Sequence, residues 1–284
     1  MKRMLHRWLT KRVGFHTRLA PVIYPTLKQE QFKKFDVTPY YRQRLVRIPS
    51  SETHHATVDN HGNILAYRVR IPLPLVKTLT KSADALPPVP ITEGTRGNFM
   101  VRHFACWSNY NKNNKPNMST EYTKTSHRAA NNAFLEANTP LFNYLSNDLR
   151  FLAPVMYNSF LKLTSENLPP NCRRLAEAWA RVAINQGQDD VEGSGTYRDQ
   201  RDVPYGYNCV VLFGDYVGTD LILWQLGVQY ELRPGDAIFF FGSVISHNTT
   251  GVVQRQRNSI DLFTHQLTRK WLKRMQKGEL KRDG

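Results

Sequence analysis

Three polar residues in the C-terminal half have side chains and an order suited to metal chemistry. Asp199 stands just before the strand-like segment YNCVVLFG, and His247 follows the apolar segment IFFFGSVIS. Arg257 lies ten residues after His247. A non-haem iron(II) centre places two imidazoles and one carboxylate on one face of the metal, which leaves the other positions for co-substrate and oxygen. The order of Asp199, His247 and Arg257 fits such a centre, with the first two as metal ligands.

Tyr197 stands where such a centre would have its first histidine, two residues before Asp199. A neutral imidazole binds Fe(II) without losing a proton, whereas a tyrosine must ionise from a pKa of about 10 before it becomes a good ligand. Three interpretations stay open. Tyr197 ligates an altered metal site, or water takes the third position beside Asp199 and His247, or the metal has been lost and the fold serves binding alone.

The segments around these residues predict short strands. After Gly193 the sequence contains YNCVVLFG, TDLILWQLG, VQYEL, DAIFFFG and SIDLFTH, which are rich in aliphatic and aromatic residues and are separated by turn residues. Strands at roughly ten-residue spacing are typical of a β-sandwich or a jelly roll. Upstream, ILAYRVR at 64–70 alternates apolar and polar residues and then meets two prolines, which predicts a short or edge strand.

A helical pattern precedes the strand-rich part. Between residues 126 and 165 apolar residues recur at three- and four-residue steps, with Pro140 and Pro154 at first-turn positions. This pattern predicts two or three helices, and CRRLAEAWARVAINQ around Arg173 also begins in a helix-like way. The sequence therefore predicts an α+β fold, with a double-stranded β-helix (jelly roll, cupin-like) core and helices packed on one sheet.

Positive charge is concentrated at the two ends of the chain. The net charge is +16; residues 1–50 hold twelve Lys or Arg against two acids, and residues 266–284 hold seven against two. We therefore predict a basic N-terminal extension over 1–50, a nearly neutral domain over 51–265 and a basic C-terminal tail over 266–284. Such ends suit contact with a polyanion such as nucleic acid. Solvated tails without a partner are the alternative.

The remaining composition bounds the class of protein. No apolar segment reaches the roughly 18 residues that a membrane helix needs, so we expect a soluble protein with no membrane partner. The three cysteines have no CxxC spacing, which favours buried thiols in a reducing compartment. Residues 1–20 contain no acid and have apolar residues at helical spacing, which predicts a basic amphipathic helix or a mitochondrial presequence.

A chain of short motifs resembles a known family. The segment GTYRDQRDVPYGYNCVVLFGDYVGTDLILWQLGVQYELRPGDAIFFFGSVISHNTTG, followed by RNSIDLFTHQ, is similar to the Tet/JBP-like 2-oxoglutarate and Fe(II)-dependent dioxygenases, in particular their fungal transposon-associated group. The shared features are HxD, here YRD, then a GDY turn, an LxLW strand, a PGD turn, a distal histidine and RxS. TRGNF at 95–99 and APVMYNSF at 153–160 extend the resemblance to about residues 95–272.

The resemblance implies an activity and a set of site residues. Such proteins oxidise the methyl group of a base such as 5-methylcytosine, coupled to decarboxylation of 2-oxoglutarate. Asp199 and His247 would then bind Fe(II), with Tyr197 at the altered position, and Arg257 would pair with the distal carboxylate of 2-oxoglutarate. Ser259 is a weaker candidate for the same carboxylate. Asn208 would point into the pocket toward co-substrate or base.

Other assignments stay open at this point. Arg255 is an alternative to Arg257, although the following Asn-Ser pair favours Arg257. Tyr205, Tyr207 and Phe213 would either stack on a flipped base or pack in the core. His54, His55, His61 and His265 lack the partner spacing of a metal ligand.

Three functions are compatible with these observations. The first is an oxygenase that uses Fe(II), 2-oxoglutarate and O2 on methylated bases, with DNA favoured over RNA as partner. The second is a catalytically impaired descendant that binds nucleic acid, and the third is a protein side-chain hydroxylase. A nuclear location suits the first two, with mitochondria as the alternative.

Overall fold

The computed structural model describes residues 15–19, 45–92, 98–108, 115–164, 166–188 and 193–280. Most of the predicted N-terminal extension and the first three residues of the TRGNF motif, 95–97, lie outside these ranges. The amphipathic helix predicted for residues 1–20 can be compared with the structure only at Phe15–Leu19, which form a strand rather than a helix.

The described ranges form alternating groups of strands and helices. The strands are β1 (Phe15–Leu19), β2 (Val46–Ile48), β3 (His54–Val58), β4 (Ile64–Arg70), β5 (Ile91–Thr92), β6 (Phe99–Ser108), β7 (Pro116–Met118), β8 (Arg181–Gln188), β9 (Asn208–Gly218), β10 (Asp220–Leu223), β11 (Val228–Glu231), β12 (Asp236–Phe240), β13 (His247–Thr249) and β14 (Val252–Phe263). The helices are α1 (Leu73–Asp84), α2 (Thr120–Thr123), α3 (Arg128–Ala137), α4 (Thr139–Leu152), α5 (Pro154–Leu161) and α6 (Gln266–Gln276).

The strands build two sheets. The larger sheet has the order β1-β3-β4-β12-β9-β14-β8-β6-β5, with β7 paired to β6, and the smaller sheet has the order β13-β10-β11-β2. In the larger sheet β9 pairs antiparallel with β12 and with β14, and β14 pairs antiparallel with β8. This architecture agrees with the jelly-roll core that the strand pattern predicted.

Two hydrophobic cores explain how the layers are held together. Because side chains alternate along a strand, Leu212 of β9 packs toward the small sheet, whereas Val211 and Phe213 pack toward the helices. The helical core adds buried residues of α1, α3, α4 and α5, among them Phe134 and Leu145. The helices therefore cover one face of the large sheet, as predicted, and the other face is left for the small sheet and the site.

The helices predicted over residues 126–165 are confirmed as α3, α4 and α5, with Pro140 and Pro154 within the first two positions of α4 and α5. The helix-like interpretation around Arg173 is wrong. Ala176 and Trp179 exchange backbone hydrogen bonds across a tight turn, and the buried Trp179 indole donates to the Tyr207 carbonyl at 3.0 Å. This tertiary contact outweighs the helical propensity of the local sequence.

The interpretation of residues 64–76 also needs correction. Strand β4 is present, but it lies inside the large sheet between β3 and β12 rather than at an edge. The two prolines after it do not mark an edge strand. Pro72 and Pro74 instead begin α1, where the missing amide protons are not needed for intrahelical bonds.

The predicted C-terminal tail is ordered in its first part. Residues Gln266–Gln276 form α6, in which Trp271 and Leu272 are 1% and 3% exposed. The apolar side of the helix packs beside β6. The basic composition of residues 266–284 is therefore not enough to predict that the whole segment extends into solvent.

All three cysteines are buried and free, as expected. None of the helices within the described ranges has the length and apolar character needed to cross a bilayer.

Candidate functional site

One cavity of about 970 Å³ brings the predicted site residues together. It opens between the two sheets and is bounded by β8, β14, the start of β9, β13 and the loop at 193–207, here called the site loop. The lining includes all six predicted residues: Tyr197, Asp199, Asn208, His247, Arg257 and Ser259. Residues that lie about 60 positions apart in the sequence therefore share one pocket.

Backbone pairing sets the position of the metal-ligand candidates. Tyr197 and His247 exchange two N–H···O bonds of 3.0 Å each, which form an isolated antiparallel bridge. Asp199 N–H then donates to the Gly242 carbonyl at 2.9 Å. The alternation of side chains along an extended segment places residues 197 and 199 on the same side, so both side chains reach the cavity wall that carries His247.

The imidazole of His247 is oriented for coordination. Its Nδ1 lies 2.8 Å from the Ile245 carbonyl oxygen, which can only accept, so Nδ1 carries a proton. Nε2 then faces Asp199 Oδ2 at 3.7 Å. A cation between the two atoms, or a second proton on the ring, would stabilise this arrangement. An imidazole that is held by a backbone carbonyl and lies beside a carboxylate is a set of donors that suits a divalent metal.

Tyr197 occupies the space beside that pair. Its ring centroid lies 4.5 Å from that of His247 at an interplanar angle of 63°, an edge-to-face contact. Within the described part of the chain, no three His, Cys, Asp or Glu side chains converge on a point where a metal could sit. Asp199 and His247 therefore form a two-residue set, and the aromatic ring stands where a third ligand would complete it.

Asn208 and Asp202 form a second polar layer behind Asp199. The Asn208 amide nitrogen donates to Asp202 Oδ2 at 2.8 Å and to Asp199 Oδ2 at 3.4 Å. Asn208 lines the cavity, as predicted. Its amide nitrogen, however, donates to the two carboxylates, so the structure assigns Asn208 the positioning of Asp199 rather than contact with a ligand. Asp202 was missed by sequence reasoning; its only signal was its place three residues after Asp199.

Gly242 is a second residue that sequence reasoning missed. A β-carbon at this position would lie 2.6 Å from Asn208 Nδ2 and 3.0 Å from Asp199 Oδ2. Both distances are below van der Waals contact, so the hydrogen-bonded pair can keep its place only if residue 242 has no side chain.

We expect Gly242→Ala to displace Asp199, to lower the free energy of unfolding by about 1–3 kcal/mol and to weaken Fe(II) binding. Urea unfolding and anaerobic Fe(II) titration measure the two effects. In an Asn208→Ala background the nearest obstacle is removed, so the same substitution should cost less stability. An equal cost in both backgrounds would contradict the contact argument.

Arg257 is placed for binding a carboxylate. It is 7% exposed, its Nη1 donates to Gln188 Oε1 at 2.6 Å, and its buried Nε has no hydrogen-bond partner among the described residues. A buried guanidinium donor without an acceptor is costly. The residue therefore fits an anionic ligand that is polar enough to satisfy it.

The choice between Arg257 and Arg255 is decided by backbone geometry. Arg255 has a φ of 62°, its side chain is 66% exposed, and it pairs with Asp215 on the outside of the sheet. Ser259, two residues after Arg257, faces the cavity and accepts a hydrogen bond from Asn185 Nδ2 at 3.1 Å. Arg257 and Ser259 therefore share the cavity wall, and Arg255 does not.

The three aromatic residues that were candidates for stacking on a base lie in different environments. Tyr207 and Phe213 are 4% and 0% exposed and belong to the helical core, so the core alternative is correct for both. Tyr205 is 51% exposed with a φ of 55° and does not line the cavity. Among the histidines expected not to bind metal, only His265 lines the cavity; His54, His55 and His61 do not.

His265 lies at the rim between the cavity and α6. Its Nδ1 accepts from Leu267 N–H at 3.4 Å, which caps the helix. Burial, followed by repulsion from Arg181 and Arg201, lowers the pKa of His265 to about 3. The neutral imidazole is therefore the form that the folded protein holds.

This shift predicts a loss of stability in acid. An unfolded histidine takes up a proton below a pKa of about 6.5, while folded His265 does not, so acidification between about pH 6.5 and 3 favours unfolding by roughly 1.4 kcal/mol per pH unit. We expect His265→Asn, which keeps a capping side chain, to reduce the pH slope by about 1 kcal/mol per unit. Urea unfolding from pH 6.5 to 4.5 measures this, with exposed His61→Asn as control. The same slope in both variants would contradict the assignment.

Comparison with known proteins gives a match in structure and none in sequence. No protein-family model and no curated protein matches the chain. The solved structure of NgTET1 in complex with 5mC DNA is similar at a TM-score of 0.67, with 13% identity over 94% of this chain and 92% of that one. A 2OG-Fe(II) oxygenase-family oxidoreductase from Burkholderia pseudomallei gives a TM-score of 0.44, with 14% identity over 69% of this chain and 84% of that one.

At this level of identity the likeness concerns the fold alone. The match with NgTET1 extends over nearly the whole of both chains, and the two facing sheets and the covering helices agree with it. The prediction made from the motifs is thus confirmed for the architecture: this chain has the double-stranded β-helix fold of NgTET1.

Proposed function

We propose that this protein is a 2-oxoglutarate and Fe(II)-dependent oxygenase that acts on a methylated base in nucleic acid. The observation that carries the proposal is the convergence of Asp199, His247 Nε2 and the buried Arg257 in one cavity. The fold shared with NgTET1, whose structure was solved with 5mC DNA, supports the choice of substrate class.

The residues divide into two binding functions. Asp199 and His247 would hold the iron, since one offers carboxylate oxygen and the other an imidazole nitrogen fixed by Ile245. Arg257 would hold the distal carboxylate of 2-oxoglutarate, with the Ser259 hydroxyl beside it. The bound iron and 2-oxoglutarate would supply activation of O2 and oxidation of the methyl group, with succinate and CO2 formed from 2-oxoglutarate.

The chain contributes orientation of the charged groups and space for a base. Asn208 holds the Asp199 carboxylate, and Gln188 holds the Arg257 guanidinium, so neither charged group has to reorganise when a ligand enters. The cavity of about 970 Å³ exceeds the space that a small dicarboxylate occupies. It leaves room for a base rotated out of its stack.

A catalytically impaired nucleic-acid-binding protein is the second candidate. The observation that favours it is the Tyr197 ring beside His247, together with the absence of a three-residue metal group among the described residues. In this candidate the cavity binds a base or a dicarboxylate but performs no oxidation.

Mass spectrometry of methylated oligonucleotides distinguishes these candidates. The protein would be incubated with 5-methylcytosine duplex, Fe(II), 2-oxoglutarate and ascorbate, and we expect oxidised cytosine in the wild type and none in Arg257→Gln. Nucleic-acid binding without oxidised base or succinate would favour the impaired protein. Succinate formed only with a protein extract would overturn the nucleic-acid substrate.

A further inference from the structure

Helix α6 carries a strongly charged face that the proposed reaction does not explain. Four cations of α6 and Lys277, which caps its C-terminus, lie within an arc of about 140° at 3.6 residues per turn. These five residues, here called the α6 basic face, are Arg269, Lys270, Lys273, Arg274 and Lys277. The buried residues Thr268, Trp271 and Leu272 lie on the opposite arc. The helix therefore has one face in the protein and one mainly basic face, on which Lys270, Lys273 and Lys277 are exposed.

The charges on this face are only partly neutralised. Glu279 lies 3.6 Å from Arg274 and 3.7 Å from Lys277. Within the described residues no ion pair involves the other three cations, Arg269, Lys270 and Lys273. Three like charges on adjacent turns repel one another, and an anion on this face would remove that cost.

The face is rigid because the helix is fixed by its buried side. Trp271 Nε1 donates to the Asn167 carbonyl at 3.3 Å, and the buried Thr268 hydroxyl donates to the Cys106 carbonyl at 3.5 Å. The α6 backbone is thus held in place before any partner binds. Its cations form a preorganised row about 12 Å long.

Helix α6 begins beside the cavity. Gln266, the first residue of α6, donates through its backbone N–H to the Arg201 carbonyl at 2.9 Å and through its side chain to the Gln200 carbonyl at 3.2 Å. Arg201 is exposed and belongs to the cavity lining, two residues after Asp199. The first residue of α6 is therefore hydrogen-bonded to the site loop, which carries Asp199.

We propose that the α6 basic face and Arg201 bind consecutive backbone phosphates of the nucleic acid whose base enters the cavity. The inference rests on the proposed function and assigns the surface that would hold its substrate. The phosphates of one strand advance about 3.4 Å per nucleotide along the duplex axis, so a row about 12 Å long covers the axial length of three or four of them. Contacts of this kind fix the register of the substrate without reading its sequence.

The test compares two variants that lose the same charge. Arg269→Gln/Lys270→Gln/Lys273→Gln changes the α6 basic face, and Lys77→Gln/Lys81→Gln/Arg128→Gln changes exposed cations on α1 and α3 that do not line the cavity. Fluorescence anisotropy with a labelled 5-methylcytosine duplex would be followed from 50 to 200 mM salt. We expect the α6 variant to bind roughly 10- to 100-fold more weakly, with a log-log salt slope smaller by about 2 to 3. The α1/α3 variant should stay within about twofold of wild type.

The outcomes separate this inference from the proposed function. If the wild type binds duplex and both triple variants keep its salt slope, the α6 assignment is wrong and the proposed function stands. If wild type shows no salt-dependent DNA binding, both fail. Should the α6 variant lose binding to polyglutamate but not to DNA, the face takes an acidic protein and the inference is overturned. Lys270→Glu/Lys273→Glu, two exposed changes, repeats the measurement if the triple variant is unstable.

Discussion

Tyr197→His is expected to raise the affinity of the protein for Fe(II) by roughly 10- to 100-fold, because it adds a third protein ligand to a two-residue set. The backbone at position 197 is already paired with His247 through two hydrogen bonds of 3.0 Å. The introduced imidazole would therefore start from a fixed main-chain position beside Asp199. Anaerobic calorimetric titration with Fe(II) measures the change without relying on turnover.

Tyr197→Phe is the matched control for this prediction. It keeps the aromatic ring that packs edge-to-face on His247 at a centroid distance of 4.5 Å, and it removes only the hydroxyl. Unchanged Fe(II) affinity in this variant would mean that the phenol is not a ligand, whereas a loss would show that it is. If Tyr197→His leaves Fe(II) affinity unchanged as well, Asp199 and His247 are not a metal site.

Arg257→Gln is expected to weaken binding of 2-oxoglutarate by about 100-fold or more, since breaking a buried charge pair costs about 3–5 kcal/mol. The guanidinium is 7% exposed and has a buried Nε without an acceptor among the described residues. Glutamine keeps a polar side chain but supplies neither the charge nor the planar fork. Calorimetric titration with 2-oxoglutarate in the presence of Mn(II) measures this affinity.

Arg255→Gln removes the same charge from the same strand. Its side chain is 66% exposed and pairs with Asp215 outside the cavity, so we expect binding of 2-oxoglutarate within about twofold of wild type. Loss of binding in the Arg255 variant with retention in the Arg257 variant would reverse the assignment. Equal loss in both would indicate a general effect of charge rather than a specific contact.

Much of the architecture was accessible from local patterns. Short apolar segments separated by turn residues predicted the strands around the site, and the spacing over 126–165 predicted α3 to α5, because both patterns follow directly from the repeats of strand and helix. The same alternation explains why Arg257 and Ser259, two residues apart, face one cavity. The order of Asp199, His247 and Arg257 along the chain could therefore be recognised as that of a metal site from the sequence alone.

Local patterns failed where distant residues decide the outcome. Residues 172–180 have helical propensity, yet the burial of Trp179 against the Tyr207 carbonyl holds them in a turn. The prolines after β4 indicated an edge strand but begin α1. In both places a contact made elsewhere in the fold, or a position that tolerates proline, outweighed the pattern of the segment itself.

By itself the sequence determined the type of core, the order of the candidate ligands and the replacement at Tyr197, since these depend on residue type and spacing along one strand or loop. Only the tertiary structure placed Asp202 behind Asp199, required a glycine at 242 and turned the basic segment after His265 into a packed helix beside the cavity. Those features depend on atoms brought within a few ångströms by the pairing of strands that are far apart in the chain. The spacing of residues within one segment does not show which distant strands will pair.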